Sequence, residues 1–260
     1  MNPNYYRSHR RPASVAKKQK SRKKWLLLLP IAAAIVWLWP THKSQPVKPM
    51  PAAVQTFNKT QHSLTDPSSI WVVVNKKRSL QPANYIPANL VTPSVLLRVP
   101  DSESMQLRAD VALALKDMFA SAEAAGAPLM LSSAYRSYTY QVNLYNGYVM
   151  DEGQAQADKS SARPGFSEHQ TGLAMDVEPA DKSCEVQACF ADTAAGKWLA
   201  TNAWQHGFLL RYPADKTTVT GYEFEPWHFR YIGKELAAEM HAKNITTLEE
   251  FFGLPAAPNY

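Results

Sequence analysis

The stretch GFSEHQTGLAMDVEP, Gly165 to Pro179, places His169 and Asp176 seven residues apart, with Gly172 between them and Ser167 two residues before the histidine. On a regular strand, residues seven apart face opposite sides. The two side chains converge only if the chain bends, and Gly172 permits that bend. Further on, EPWH supplies His228 and, three residues earlier, Glu225. Two imidazoles and a carboxylate match the donor set of a catalytic zinc ion, which takes three protein ligands and keeps one position for water. Glu225 is then a carboxylate able to accept the proton of that water. Singly, each residue has an ordinary reading, a packed histidine or a turn-capping aspartate; the combination carries the metal reading.

The elements that position these residues are legible in outline. IWVVVNKKRSL predicts an opening strand, Ile70 to Val74, followed by a turn. Leu107, Val111, Leu115, Met118 and Ala122 recur at helical spacing up to Gly126, which predicts a core-facing helix. PLMLSSAYRS reads as a strand running into a loop, and YTYQVNLYNGYVMD as a second helix. TAAGKWLATNAWQHG reads as a third helix, ending at Gly207. GYEFEPWHFRYI is strand-like with alternating aromatics, and GKELAAEMHAK and TTLEEFFG close the chain as short helices. Without a regular βαβ rhythm, this order predicts an α+β fold: a mainly antiparallel sheet with helices packed on it and the metal site in a cleft on the sheet.

The 260 residues, 45% of them hydrophobic, suit one main domain with extra segments. The formal charge of +6 is unevenly placed. Residues 1–24 hold nine Lys/Arg and no acidic residue, whereas the rest of the chain carries 19 basic against 22 acidic side chains. The basicity belongs to a tail, so no nucleic-acid partner is expected of the domain. The tail precedes WLLLLPIAAAIVWLW, Trp25 to Trp39, apolar throughout and flanked by Lys23 and Lys24 on one side only. The positive-inside bias keeps the tail in the cytoplasm and sends the rest across the membrane. Residues 25–40 are therefore expected to be a membrane anchor. A cleaved signal peptide is the other reading, although Trp37, Trp39 and Pro40 stand where a small-x-small cleavage site belongs. Residues 41–68, with Pro46, Pro49 and Pro51, read as a linker, and 69–260 as the catalytic domain.

SEHQTGLAMD followed by EPWH resembles the paired zinc motifs, S-x-H-x-x-G-x-A-x-D and E-x-x-H, of the VanY-type D-alanyl-D-alanine carboxypeptidases. These metallopeptidases are grouped with lysostaphin-like enzymes and the hedgehog domain. VVVNKKRSLQPANYIP, SSAYRSYTYQ and HGFLLRYP extend the resemblance, which covers about Ile70 to Leu254. It implies that His169, Asp176 and His228 ligate Zn2+ and that Glu225 is the general base and acid. It further implies that Arg136 and Gln141 hold the substrate carboxylate and that Ser167 and Tyr212 line the same pocket. Arg136, between two serines, a tyrosine and a helix start, fits a planar fork aimed at an anion; a solvated surface arginine is the plainer reading.

Cys184 and Cys189, five apart, fit a short-loop disulfide in an oxidising compartment. A free pair and a second ligand set are the other readings, and the resemblance does not decide among them. Chemistry and compartment together predict an enzyme of the bacterial cell envelope, anchored in the cytoplasmic membrane with its domain outside, acting on peptidoglycan stem peptides. Removal of the terminal D-alanine is the expected reaction. An L,D-carboxypeptidase acting on tetrapeptide stems and a zinc-containing wall-binding module without turnover are the alternatives.

Overall fold

A computed structural model describes residues 56–260. The expected anchor at 25–40 and the basic tail lie outside the described residues. Among the described residues, no helix is long and apolar enough to cross a membrane.

After an irregular stretch, β1 (Leu90–Val91) pairs antiparallel with β2 (Leu107–Arg108), and α1 (Ala109–Ala124) follows. Leu107 lies on β2, so the helix begins later than its apolar spacing suggested; Val111, Leu115, Met118 and Ala122 form its buried face as expected. Next come β3 (Leu129–Ser133), α2 (Tyr138–Glu152) and α3 (Gln154–Ser160). Ser137 caps α2, its hydroxyl accepting the Tyr140 N–H at 3.2 Å, which satisfies one of the donors a helix start leaves open. Then follow β4 (Ala174–Pro179), α4 (Ala194–Asn202), β5 (Phe208–Leu210), the single turn α5 (Thr217–Thr220), β6 (His228–Tyr231), α6 (Lys234–Ala242) and α7 (Leu248–Phe252).

Four strands form an antiparallel sheet in the order β3–β4–β6–β5. Alternation gives its inner strands two different faces. Met175 and Val177 of β4 and Phe229 of β6 point into the apolar core with Leu115, Met118 and Leu199. Asp176, His228 and Arg230 point the other way, and the register sets Asp176 directly opposite His228.

That second face rests on a buried ionic network. Glu168, Arg211, Arg230 and Glu249 are fully buried. Glu168 Oε1 accepts from Arg211 Nε at 2.9 Å and Arg230 Nη1 at 2.8 Å. Arg211 also donates two hydrogen bonds to Glu249, at 2.9 and 2.7 Å, and Asn75 donates to Glu249 at 2.8 Å. Two guanidinium groups against two carboxylates leave the cluster neutral, the condition under which buried charge is tolerated.

The expected strand at Ile70 to Val74 is absent from this architecture. The arginines take its carbonyls: Arg230 donates to Ile70 and Val72, Arg78 to Val73 and Arg211 to Val74. Backbone acceptors satisfied by side chains have no need of a ladder, and the apolar run that looked like a strand is an irregular segment threaded through the core. The expected linker boundary at residue 68 also moves. Phe57 stacks against Trp71 and meets Phe251 edge-on, both at 5.6 Å, and Leu64 joins the same apolar cluster, so packed structure begins ahead of residue 69.

Replacing Glu249 with alanine would leave the buried Arg211 guanidinium short of its partner. Removing one partner of a buried pair costs about 3–5 kcal/mol. Urea unfolding of Glu249→Ala is expected to show an unfolding free energy lower by that amount, read as a lower midpoint at an unchanged slope; a loss below about 1 kcal/mol would mean that the network is not buried as described.

Candidate metal centre and active-site cleft

His169 lies in a 3-10 turn, Glu168–Thr171, that ends at Gly172 in the left-handed region, φ 68°. A side chain at Gly172 would press within 3.0 Å of Leu90 and 3.2 Å of Arg108. Glycine therefore serves both the conformation and the close approach. This is the bend expected from the motif, and beyond it β4 carries Asp176 back beneath His169. His169 Nε2 and His228 Nδ1 each lie 3.5 Å from Asp176 Oδ1. All three residues are buried and offer donor atoms within 4.8 Å of one another.

The remaining atoms of the triad are oriented from behind. His169 Nδ1 is 2.6 Å from the Ala134 carbonyl, which fixes the tautomer that leaves Nε2 with a lone pair. His228 Nε2 faces Glu168 Oε2 at 3.7 Å, so Nδ1 is the nitrogen turned to the cluster. Backbone or carboxylate support of this kind is what orients metal-binding histidines. His169 Nε2 and Asp176 Oδ1 are buried without a hydrogen-bond partner. Unpaired buried polar atoms are costly, and three converging donors of which two lack partners fit a zinc ion. The donor set, two neutral nitrogens and one carboxylate oxygen, has the composition that zinc accepts.

Glu225 enters the same cleft, with Oε2 at 3.3 Å from His228 Nδ1. The cleft, of about 490 Å³, is lined by the triad, Arg136, Ser167, Tyr212, Glu225 and Trp227. Arg136 donates to Asp176 Oδ2 at 3.0 Å and to Gln141 Oε1 at 3.5 Å, and its Nε is unpartnered. Gln141 sits one layer back: it is fully buried, and its amide donates to the Ala162 carbonyl at 2.7 Å. Its side-chain oxygen meets Arg136, the other residue expected to hold the substrate carboxylate. Ser167 is positioned as the cap of the 3-10 turn, yet its hydroxyl makes no capping bond, and the residue lines the cleft. Tyr212 packs against His228, with ring centroids 4.7 Å apart. Cys184 and Cys189 form a disulfide, which excludes both a free pair and a second ligand set.

Glu168 is the site residue that the sequence reading passed over. The available signal was Arg211 in LLRYP and Arg230 in HFRY. Arginines inside apolar strand segments call for buried carboxylates, and Glu168 stands within the motif itself.

The electrostatics separate the two histidines. Burial and the nearby Arg136 push His169 down to about 4, against the attraction of Asp176. Burial also works against a charged His228, but the neighbouring carboxylates of Glu168, Glu225 and Asp176 outweigh it and raise its pKa to about 9. At neutral pH the metal-free site therefore favours a proton on His228 and none on His169. A metal ion must displace that proton, so affinity rises with pH until His228 has lost it near 9 and levels off above, by about tenfold per unit below that point. Zinc titrations of the metal-free protein by calorimetry, in buffers of different ionisation enthalpy at pH 7, are expected to show release of about one proton. No release would refute the charge state derived for His228.

The profile of the VanY family, described as D-alanyl-D-alanine carboxypeptidase, matches residues 104–234. YodJ of Bacillus subtilis is 42% identical over 191 residues, covering 73% of this chain and 69% of its own. Among solved structures, the LdcB LD-carboxypeptidase superposes with a TM-score of 0.68 at 41% identity, covering 72% of this chain and 87% of that one. A variant of the vancomycin-resistance D,D-pentapeptidase VanY, in complex with Zn(II), gives a TM-score of 0.57 at 28% identity and covers 69% of this chain and 97% of its own. With its motifs, its sheet and its donor cluster in agreement with these proteins, the chain belongs to the VanY family of D-alanyl-D-alanine carboxypeptidases.

Proposed function

We propose that the protein is a zinc carboxypeptidase that removes the terminal D-alanine from peptidoglycan stem peptides. The observation that carries this reading is the convergence of His169, Asp176 and His228 in one cleft with Glu225 beside them. His169 Nε2, Asp176 Oδ1 and His228 Nδ1 would hold the ion. When bound, zinc supplies Lewis acidity toward the scissile carbonyl and toward water. Glu225 takes the proton of the attacking water and passes it to the departing amine. Burial raises the Glu225 pKa against the opposing influence of His228, which suits a group that must bind a proton and then release it. Tyr212 is buried, and its pKa is held well above the usual phenol range by that burial and by Glu168. It stays a neutral donor beside the reacting centre.

Arg136 and Gln141 would hold the substrate carboxylate, with Ser167 and Tyr212 lining the same pocket. A wall-binding module without turnover has no use for a buried carboxylate at the position of Glu225, which argues for the enzyme. The bond cut is either the D,D bond of a pentapeptide stem, as first expected, or the L,D bond of a tetrapeptide stem. The second is favoured by the higher identity and TM-score against LdcB than against VanY. Incubation with purified tetra- and pentapeptide muropeptides, followed by mass spectrometry, separates the two by which substrate loses alanine. The membrane anchor at residues 25–40, with the domain outside the cytoplasm, belongs to the same proposal, since the substrate lies there.

Glu225→Ala is expected to keep its zinc and to lose turnover by about 10²–10⁴-fold; hydrolysis near the wild-type rate would refute its role. Arg136→Ala is expected to lower kcat/KM by roughly 10–10²-fold on free-carboxylate peptides, the worth of a charge-assisted hydrogen bond. It should scarcely alter the already poor cleavage of peptides with an amidated terminus. If zinc affinity falls instead and the loss is the same for both substrates, Arg136 serves Asp176 alone.

A further inference from the structure

Tyr260 lies outside the span matched by the family, and it touches both segments that build the cleft. Its hydroxyl accepts the backbone N–H of Arg163 at 2.7 Å and lies 3.2 Å from the Tyr222 hydroxyl. Its ring meets Phe166 edge-on at 5.2 Å and lies beneath the Arg163 guanidinium at 4.2 Å. Arg163 and Phe166 lead into Ser167 and His169. Tyr222 leads into Glu225 and His228.

The contact continues inward by packing. Tyr222 is buried and lies 4.6 Å from Tyr212, centroid to centroid, and Tyr212 lies 4.7 Å from His228. Rings in this range of separation carry specific attraction beyond the area they bury. The docking of 257–260 is itself fixed. Ala257 N–H donates to the Val219 carbonyl at 2.8 Å, and Gly221, at φ 82°, leaves room where a side chain would meet the Ala257 carbonyl at 2.5 Å. Lys76 donates to the Gly221 carbonyl and sits over the Tyr222 ring at 4.6 Å, closing the same corner from the other side.

We propose that Tyr260 is a positioning residue for the metal centre: it clasps the segment entering His169 to the segment entering Glu225 and His228, and through Tyr222 and Tyr212 it sets the place of the His228 ring. The proposal rests on the reading of His169, Asp176 and His228 as metal ligands, and not on which bond the enzyme cuts. The clasp is built from two separable parts, a hydroxyl with two hydrogen bonds and a ring with two aromatic contacts.

The test uses the full chain, loaded with Co2+ as a spectroscopic probe of ligand geometry, together with kinetics on stem peptides. Tyr260→Ala is expected to shift the visible Co2+ bands, to weaken Co2+ binding about tenfold and to lower kcat about tenfold with KM little changed. Tyr260→Phe keeps the ring and is expected to restore most of the Co2+ spectrum while leaving part of the kcat defect. Tyr222→Phe removes the same hydroxyl contact from the other side, so the Tyr260→Phe, Tyr222→Phe double variant is expected to be no worse than either single one. Trp204→Ala, which removes a ring stacked on His241 at 4.0 Å away from the cleft, controls for loss of stability and should leave the spectrum unchanged. A wild-type Co2+ spectrum and wild-type kcat in Tyr260→Ala would overturn the proposal, as would additive effects of the two phenylalanine variants should Tyr260→Ala fail to fold. A wild-type protein that takes up Co2+ but cleaves no stem peptide would sink the catalytic reading and leave the spectral comparison to decide the clasp. A wild-type protein that takes up no Co2+ would overturn the ligand reading and the clasp with it.

Discussion

The carboxylate of Glu168 is the point on which the rest of this structure depends. It is buried between Ser167 and His169, accepts from Arg211 and Arg230, and lies behind His228. Burial raises the cost of its charge, yet the two arginines hold its pKa far below the carboxylate range. A single ionised group thus ties the 3-10 turn carrying one candidate ligand to the strand carrying another. The arginines extend that tie. Arg230 reaches the carbonyls of Ile70 and Val72, and Arg211 reaches Glu249 at the start of α7. Chain segments distant in sequence are fastened to one carboxylate, and the side chain next to it in the motif is the one that faces the metal position.

This arrangement explains which parts of the molecule were legible beforehand. The donor set, the bend at Gly172 and the helices at α1, α2 and α4 depend on local spacing, which a sequence displays directly. The segment at 70–74 misled for a physical reason. Its Val-rich run has strand character, but its carbonyls are taken by Arg78 and by Arg211 and Arg230, the last two more than 100 residues away. β4 alternates apolar Met175 and Val177 with polar Asp176 and Glu178, but all six of its residues are buried, so its polar side chains mark the site and not solvent. The contact of Gln141 with Arg136 depends on the path of α2, which no local spacing displays. At Phe57, a lone aromatic in a polar stretch gave no period to read, although it packs on Trp71.

Arg136 occupies an intermediate position, and its bonding explains why. One of its terminal nitrogens holds Asp176, which places positive charge next to the metal ligands, while its Nε has no partner within the protein. A planar fork with one side committed and another open can orient a ligand and still receive an anion. Gln141 restrains the fork through its contact with the other terminal nitrogen at 3.5 Å, and the Arg136 side chain lines the cleft.

Two carboxylates of the cleft, Asp176 and Glu225, show how one small volume can hold a ligand and a base. Both are desolvated, which by itself raises both pKa values. For Asp176 this is overturned by His169, Arg136 and His228, and its pKa falls well below the usual range. Glu225 has the closeness of His228 in its favour, but also the repulsion of Asp176, and burial prevails, so its pKa rises. Environments that push two like groups apart assign them different work. The permanently charged one is fit to stay on a cation, and the one drawn toward neutrality is fit to exchange a proton. Had the two environments been alike, the cleft would hold either two metal-bound carboxylates and no base, or two proton carriers and an incomplete ligand set. The closeness of His169 to Asp176, joined by the Arg136 hydrogen bond to the same carboxylate, is what breaks that symmetry.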